Sequence, residues 1–392
     1  MARLGDICDI LNGYAFKSEK YISSGIRVIR IANVQKGYIE DTAPAFYPLD
    51  TPDIEKYTLY EDDLLISLTG NVGRVALLKK EFLPAALNQR VACLRLKNNV
   101  PYDKSFLYCF LNSDYFENKC IQSAKGVAQK NMSTEWLKDY EIPDLSLDEQ
   151  KKISTVLNKI SDLIDIRKQQ LFDFDNLVKS RFIEMFGDPV INDKNWIIDT
   201  MGNYMTTLTD FSANGSYELL DSNVVMYDEP NYAIMVRTTD LESGDLTSGV
   251  KYIDEAAYKL LDKSKLFGGE LIMNKIGSAG KIYIMPYIDK PASLGRNAFM
   301  FRFDERLNMK YLYFLLSSDY GTNEIQQYVR GAVTKTITKD STRAIKIIVP
   351  PIDLQNQFAE FVEQTDKLKF EVKEALEKLE ILKKSLMQQY FG

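Results

Sequence analysis

Residues 27–39 read RVIRIANVQKGYI, and residues 234–246 read IMVRTTDLESGDL. Set one above the other, Arg30 falls on Arg237, Asn33 on Asp240 and Gly37 on Gly244, with apolar Ile29 on Val236 and Val34 on Leu241, all at an offset of 207. The correspondence continues along the chain. ISLTGNVGR (66–74) falls on MNKIGSAGK (273–281), matching Gly70 with Gly277, Gly73 with Gly280 and Arg74 with Lys281. ALNQRVA (86–92) falls on SLGRNAF (293–299). FLYCFLNSDYF (106–116) resembles YLYFLLSSDYG (311–321) at an offset of 205, and KGVAQKNMS (125–133) then falls on RGAVTKTIT (330–338). IPDLSLDEQ (142–150) is set against VPPIDLQNQ (349–357) at 207, and MFG (185–187) against the final YFG (390–392). Such long units imply a tandem duplication and not a solenoid of short repeats.

Within one unit, RVIRIANV, DLLISLTG and VACLRLK alternate in the manner of strands separated by turns. A helix is expected around 103–117, then a Lys/Gly/Gln-rich loop at 123–133. Each globular part is therefore expected to be α+β. Pro143 and Pro350 then break the chain. Ser146 and Glu149 form an S-x-x-E capping box, and Asp353 is the expected N-cap of the second unit.

After each break the apolar period becomes 3.5. The expected seam runs through Ile153, Leu157, Ile160, Ile164, Leu171, Phe174 and Phe182, interrupted by Arg167 and Gln170, and again through Val362, Leu368, Val372, Leu379 and Leu386. Each run spans about 40 residues, or roughly 60 Å of helix. A seam at that period sustained over several heptads is a coiled-coil signature. The expected organisation is a first globular domain at 1–145, a long helix at 146–187, a second domain at 188–352 and a second long helix at 353–392, the two helices pairing antiparallel.

Composition narrows the function. Of 392 residues, 45% are apolar and 27% charged, as in a soluble globular protein, and no stretch is long and apolar enough to span a membrane. The four cysteines, Cys8, Cys93, Cys109 and Cys120, show no CxxC pair, so they read as reduced thiols of a cytosolic protein. The chain has no histidine, which removes imidazole catalysis and His-based metal sites. The segment GSAGK (277–281) has the wrong spacing for a P-loop, and no dinucleotide fingerprint or carboxylate cluster of a nuclease is apparent. No catalytic or metal-binding residue is expected. The net charge of −6 argues against a nucleic-acid binder, but its distribution does not. Residues 37–63 carry eight acids and one Lys, whereas 74–97 carry six Lys/Arg and one Glu, and Arg330, Lys335, Lys339, Arg343 and Lys346 cluster in the second half.

The order of these motifs, repeated twice, resembles the DNA-specificity subunit of type I restriction–modification systems. RVIRIANVQKG and KGVAQKNMS resemble segments of that family's target recognition domains, and each I/V-P break followed by a long helix resembles its spacer. The second unit (RTTDLESG, RGAVTKTIT) departs further, which fits a different DNA word. The resemblance implies two domains that each read half of a split site in double-stranded DNA, about one helical turn or roughly 34–36 Å apart. It also implies two methyltransferase subunits that carry AdoMet and, in the complete enzyme, two restriction subunits that use ATP and Mg. This chain would then hold no cofactor.

Base reading needs donor-rich side chains, and phosphate contacts need Lys, Arg and backbone N–H groups. The candidates are Arg74, Gln89, Arg90, Lys125, Gln129, Lys130 and Asn131, with counterparts Lys281, Arg296, Asn297, Arg330, Thr334, Lys335 and Thr336. Gly126 and Gly331 would let backbone approach a phosphate. Bland readings stand beside these: plain hairpin turns at GNVGR and GSAGK, and structural ion pairs at Arg30 and Arg237. A rival function also stands, a coiled-coil scaffold that joins proteins without touching DNA.

Overall fold

A computed structural model of the chain describes residues 2–124, 126 and 130–392. The chain forms two compact units, Met1–Gln169 with Val372–Gly392, and Gln170–Glu371. Both boundaries fall inside the long helices, Leu147–Phe186 and Ile352–Phe391.

The first unit holds two four-stranded sheets. One is antiparallel, in the order Cys8–Asn12, Val91–Leu96, Leu64–Ser67, Val75–Leu77. The other runs Phe46–Tyr47, Ile26–Ile29, Ala85–Leu87, Thr58–Leu59, with its central pair parallel. The second unit repeats both orders with Met205–Asp210, Ala298–Phe303, Leu271–Asn274, Ile282–Ile284 and with Lys251–Ile253, Ala233–Val236, Ala292–Leu294, Lys265–Leu266. These are short strands of the kind expected from alternating sequence, but RVIRIANV is only half strand. The strand ends at Ile29, and Ile31–Asn33 forms a 3-10 turn because the Asn33 side chain accepts from Arg30 N–H at 2.9 Å.

The helix expected around 103–117 is two helices, Lys104–Leu111 and Asp114–Ser123, because Ser113 caps a new start by accepting from Phe116 N–H. Their counterparts are Met309–Ser317 and Asp319–Gln326. The offset is 207 at the central strands and 205 from here onward. The slip lies between strand and helix, where residues 97–103 are replaced by the shorter 304–308.

That slip corrects the alignment of the helix starts. The side-chain amide of Gln150 accepts from Asp103 N–H at 2.8 Å and donates to the carbonyls of Pro101 and Leu145. Gln355 does the same with Asn308 N–H at 2.9 Å and the carbonyls of Arg306 and Pro350. The two glutamines are equivalent, so the offset here is 205 and matching the prolines misplaces the register by two. The capping box at Ser146 and Glu149 is present. Asp353 is not the N-cap of its helix: it sits inside the first turn, and Pro351 O accepts from Leu354 and Gln355 N–H. There its carboxylate lies near the positive helix end.

Each long helix presents a regular 4-3 stripe. The first runs Ile153, Leu157, Ile160, Ile164, Arg167, Leu171, Phe174, Val178, Arg181, Met185, and the second Phe358, Val362, Thr365, Lys369, Val372, Leu376, Leu379, Lys383, Leu386, Tyr390, all buried or half-buried. Leu368 is therefore not on the seam. It is 48% exposed, and Lys369 takes the position, reaching Asp175 at 2.6 Å. Phe182 is buried, but it faces Tyr311 and Phe358.

In the first unit the early part of the first helix lies with the late part of the second. Leu157, Ile153, Leu386 and Phe391 share one core with Phe106 and Phe110, and Lys168 meets Glu380 at 3.5 Å. In the second unit the late part of the first helix lies with the early part of the second. Phe182 and Phe186 pack on Phe358 at ring distances of 5.4 and 5.5 Å. The pairing is antiparallel in both. All four cysteines are buried free thiols, and burial pushes Cys8 up to about 12.

Candidate nucleic-acid interface

Three segments distant in sequence are joined by backbone at one end of each antiparallel sheet. In the first unit a tight turn links Leu64–Ser67 to Val75–Leu77, with Gly73 N–H on Ser67 O at 3.0 Å and left-handed backbone at Gly70 and Gly73. Glycine adopts that conformation without a side-chain penalty. Leu68 N–H donates to Arg90 O at 3.0 Å, Met132 N–H to Leu68 O at 2.8 Å, and Gly70 N–H to Lys130 O at 2.9 Å. Met132, buried beneath, anchors the loop.

The second unit repeats the ladder at matched residues. Lys275 N–H donates to Asn297 O at 2.9 Å, Ile337 N–H to Lys275 O at 3.1 Å, and Gly277 N–H to Lys335 O at 2.9 Å. Arg330 and Thr336 exchange backbone hydrogen bonds at 2.9 and 2.7 Å, and Ile337 is the buried anchor. A side chain at Gly331 would meet Thr334 O at 2.1 Å, so that loop needs its glycine.

This brings Arg74, Gln89, Arg90, Lys130 and Asn131 to one ridge, and Lys281, Arg296, Asn297, Arg330 and Lys335 to the other. Lys125 and Gln129 lie outside the described residues. Gln89, Arg90, Lys130 and Asn131 are exposed, as are Asn297, Thr334, Lys335 and Thr336. The turns are hairpin connections and also carry the basic residues, so the bland reading of GNVGR and GSAGK and the functional one coexist.

The side chains of the two ridges differ. Arg74 donates to the Gln35 amide oxygen, whereas Lys281 donates to the Glu242 carboxylate. That partner holds the Lys281 ammonium above its ordinary value. Arg296 meets Asp221 at 3.2 Å and lies over the Phe211 ring. Arg330 turns back to Gln327 O and is not extended outward.

Sequence reasoning missed a cluster beside the second ridge. Asp210, at the end of Met205–Asp210, accepts from Lys275 Nζ at 2.7 Å and Lys339 Nζ at 2.8 Å. Burial alone would raise the Asp210 carboxyl, but these two hydrogen bonds outweigh it and hold it below the usual carboxylate range. Lys275 sits inside the MNKIGSAGK motif, but Asp210 is 65 residues away and has no local signature. Beside this turn lies a cleft of about 620 Å³ bordered by Gly280, Lys281, Tyr313, Gln326 and Lys335.

Other charged residues are structural. Arg237 holds Asp240 at 2.6 Å. At the matching place Arg30 N–H donates to Asn33 and the guanidinium reaches Ala43 O, so among the described residues the ion pair considered for both arginines forms at Arg237 and not at Arg30. Arg95 clamps Asp63 through two hydrogen bonds, at 2.8 and 2.5 Å, and Arg302 clamps Glu270 at the equivalent positions. Among the described residues no group of three or more His, Cys, Asp or Glu is placed to hold a metal ion.

The family pattern described as "Type I restriction modification DNA specificity domain" matches residues 1–172 and 197–382. The chain belongs to this family. Its two matched regions coincide with the two repeats read from the sequence. The specificity subunit of type I restriction enzyme EcoAI from Escherichia coli is 37% identical over 167 residues, 41% of this chain and 28% of that protein. That match spans less than a third of the EcoAI subunit. The EcoBI specificity subunit, also from Escherichia coli, is 23% identical over 418 residues, covering 99% of this chain and 84% of that protein. Among solved structures, the S subunit of a type I restriction–modification system from M. genitalium shares the fold, with a TM-score of 0.60 at 15% identity, covering 100% of this chain and 95% of that one. No helix among the described residues is long and apolar enough to cross a membrane.

Proposed function

We propose that this chain is the non-catalytic specificity subunit of a type I restriction–modification complex and reads a split site in double-stranded DNA. Residues 1–145 and 188–352 each read one half-word, and the helices 146–187 and 353–392 act as the spacer. The observation that carries this is the ladder of three basic segments, fixed by backbone hydrogen bonds at matched residues in both units. Fixed backbone matters because a reading side chain must be held within a fraction of an ångström of a base edge to discriminate. Lys130 and Lys335 supply phosphate contacts, Arg90, Asn131 and Asn297 base contacts.

Chemistry is assigned to partners: AdoMet-dependent methylation to two methyltransferase subunits, ATP- and Mg-dependent cleavage to two restriction subunits. The long helices offer docking surface for the former. Val156, Leu163, Ile166, Phe172, Leu177 and Ile183 stand 40 to 60% exposed along the first helix, more apolar surface than a helix facing only water keeps.

The test is to map methylated bases in DNA from cells carrying this chain together with a methyltransferase subunit of a type I system. Two short words separated by a constant run of unread bases are expected. A single contiguous word, or methylation without sequence preference, refutes the reading. A scaffold that never touches DNA would show no dependence of DNA affinity on salt.

A further inference from the structure

The two ridges share a backbone but not an electrostatic plan. At the position where Arg74 meets the neutral amide of Gln35, Lys281 meets the carboxylate of Glu242. Gln35 and Glu242 occupy equivalent positions in the two repeats. A neutral amide is again replaced by a carboxylate at the opposite edge of the antiparallel sheet. Asp210, which holds Lys275 and Lys339, stands where the first unit has Asn12, since Asp210 pairs with Phe299 and Asn12 with the equivalent Ala92. A third carboxylate, Asp221, meets Arg296. By contrast Arg90 and Lys130 of the first unit make no ion pair among the described residues.

Resting on the DNA-reading proposal, we propose that Glu242, assisted by Asp221, is a specificity-determining residue that masks the cations of the second ridge against DNA of the wrong sequence. Non-specific binding is driven by release of counterions from phosphates as Lys and Arg neutralise them. A lysine already neutralised by a carboxylate of its own chain gains little from a phosphate, because the carboxylate must be uncovered in exchange. At a cognate word, base-edge contacts hold the domain in place and offset that exchange; at a random sequence nothing does. The pair of Lys281 and Glu242 is suited to such an exchange, since both side chains are about half exposed (47% and 54%) and can part without exposing a buried charge. Asp210 is not: its side chain is 9% exposed and its two lysines are fixed, so it positions them and does not release them. The first ridge, with Gln35 in place of a carboxylate, is the head that supplies general affinity for the duplex. The second is the head that discriminates.

The experiment measures binding of the full chain to a random-sequence duplex between 50 and 200 mM salt, for wild type, Glu242→Gln, Gln35→Glu, and Glu305→Gln. The last makes the same charge change beyond the far end of Ala298–Phe303, whose near end follows Asn297. Glu242→Gln should steepen the salt slope by about 0.9, one freed phosphate contact, so that affinity falls about 3.5-fold more across this range than in wild type. Gln35→Glu should flatten it by a similar amount, and the double variant Gln35→Glu/Glu242→Gln, whose net charge is that of wild type, should restore the original slope. With the mapped cognate site as second ligand, Glu242→Gln should lower the ratio of cognate to random affinity about threefold at 50 mM salt. An unchanged slope in Glu242→Gln, with wild-type binding intact and salt-dependent, overturns the masking proposal and leaves the reading function standing. An equal steepening in Glu305→Gln also overturns it, by showing an effect of net charge. Absence of any salt-dependent binding by wild type removes the reading function itself, and the masking with it.

Discussion

Phe391, the penultimate residue, is 6% exposed and lies edge-on to Phe106 and Phe110 at ring distances of 5.7 and 5.4 Å. Both partners are themselves buried to 2% exposure or less. The substitution Phe391→Ala removes a fully packed ring from the first unit's core. Buried Phe→Ala changes cost about 3–5 kcal/mol, and the helix can relax into part of the gap, so about 3 kcal/mol is expected. The chain carries its own reporters: of its two tryptophans, Trp136 packs on Tyr140 in the first unit, and Trp196 donates its indole N–H to Phe186 O in the second. Urea unfolding followed by Trp136 in a Trp196→Phe background should show the midpoint fall by about 1.2 M, taking a slope of about 2.5 kcal/mol per M for a unit of this size. Followed by Trp196 in a Trp136→Phe background, the shift should be smaller. Phe186→Ala, at the equivalent end of the first helix, should reverse the order. A Trp136 midpoint that moves by less than about 0.3 M, or a Trp196 midpoint that moves more than that of Trp136, would refute the docking of the last helical turn in the first unit.

Asp210→Asn leaves the Lys275 ammonium, 14% exposed, without its carboxylate, and should cost the second unit about 2–3 kcal/mol by the Trp196 transition. Because the Asp210 carboxyl is held low in the folded state, its contribution is complete above the ordinary carboxylate pKa of about 4 and is lost as pH falls through the lowered value. The stability difference between wild type and variant should therefore shrink in acid, and a difference that grows there would contradict the assignment. Gln355→Leu leaves Asn308 N–H and the Arg306 and Pro350 carbonyls unpaired around a residue of 0% exposure, and should cost about 3 kcal/mol or more in the same assay. Lys130→Glu with Lys335→Glu should weaken binding to any duplex and reduce the salt slope by about 1.8, two phosphate contacts, as read by titration at several salt concentrations.

The duplication, the α+β units and the long helices were legible because each leaves a periodic or repeated trace in the residues. The edge strand ending at Asn12 matches the one ending at Asp210 at 198, whereas the central strands kept the offset of 207 read from RVIRIANVQKG. The helix starts did not, because the visible prolines of IPD and VPP are not equivalent, whereas the buried Gln150 and Gln355 are. The seam was legible where it is apolar and misread at Leu368, since Lys369 occupies the seam by laying its stem along it and sending its charge to Asp175. Which domain each half-helix joins was not legible at all. That depends on Phe391 meeting Phe106 and on Phe182 meeting Tyr311, contacts between residues far apart in the chain. The ridge residues were found by residue type and repetition, but their partners were not. The pairs Asp63–Arg95, Glu270–Arg302 and Asp210–Lys275 each bring together side chains 32 or more residues apart, and no local pattern announces them.

The central claim is that each repeat reads its own half of a divided DNA word. It is tested most directly by exchanging residues 1–145 for the matching domain of a relative with another specificity, then mapping the methylated sites of the reconstituted complex. One half-word should change, while the other half and the length of the unread gap stay as they were. A change in both halves, or the loss of the gap, would contradict the account.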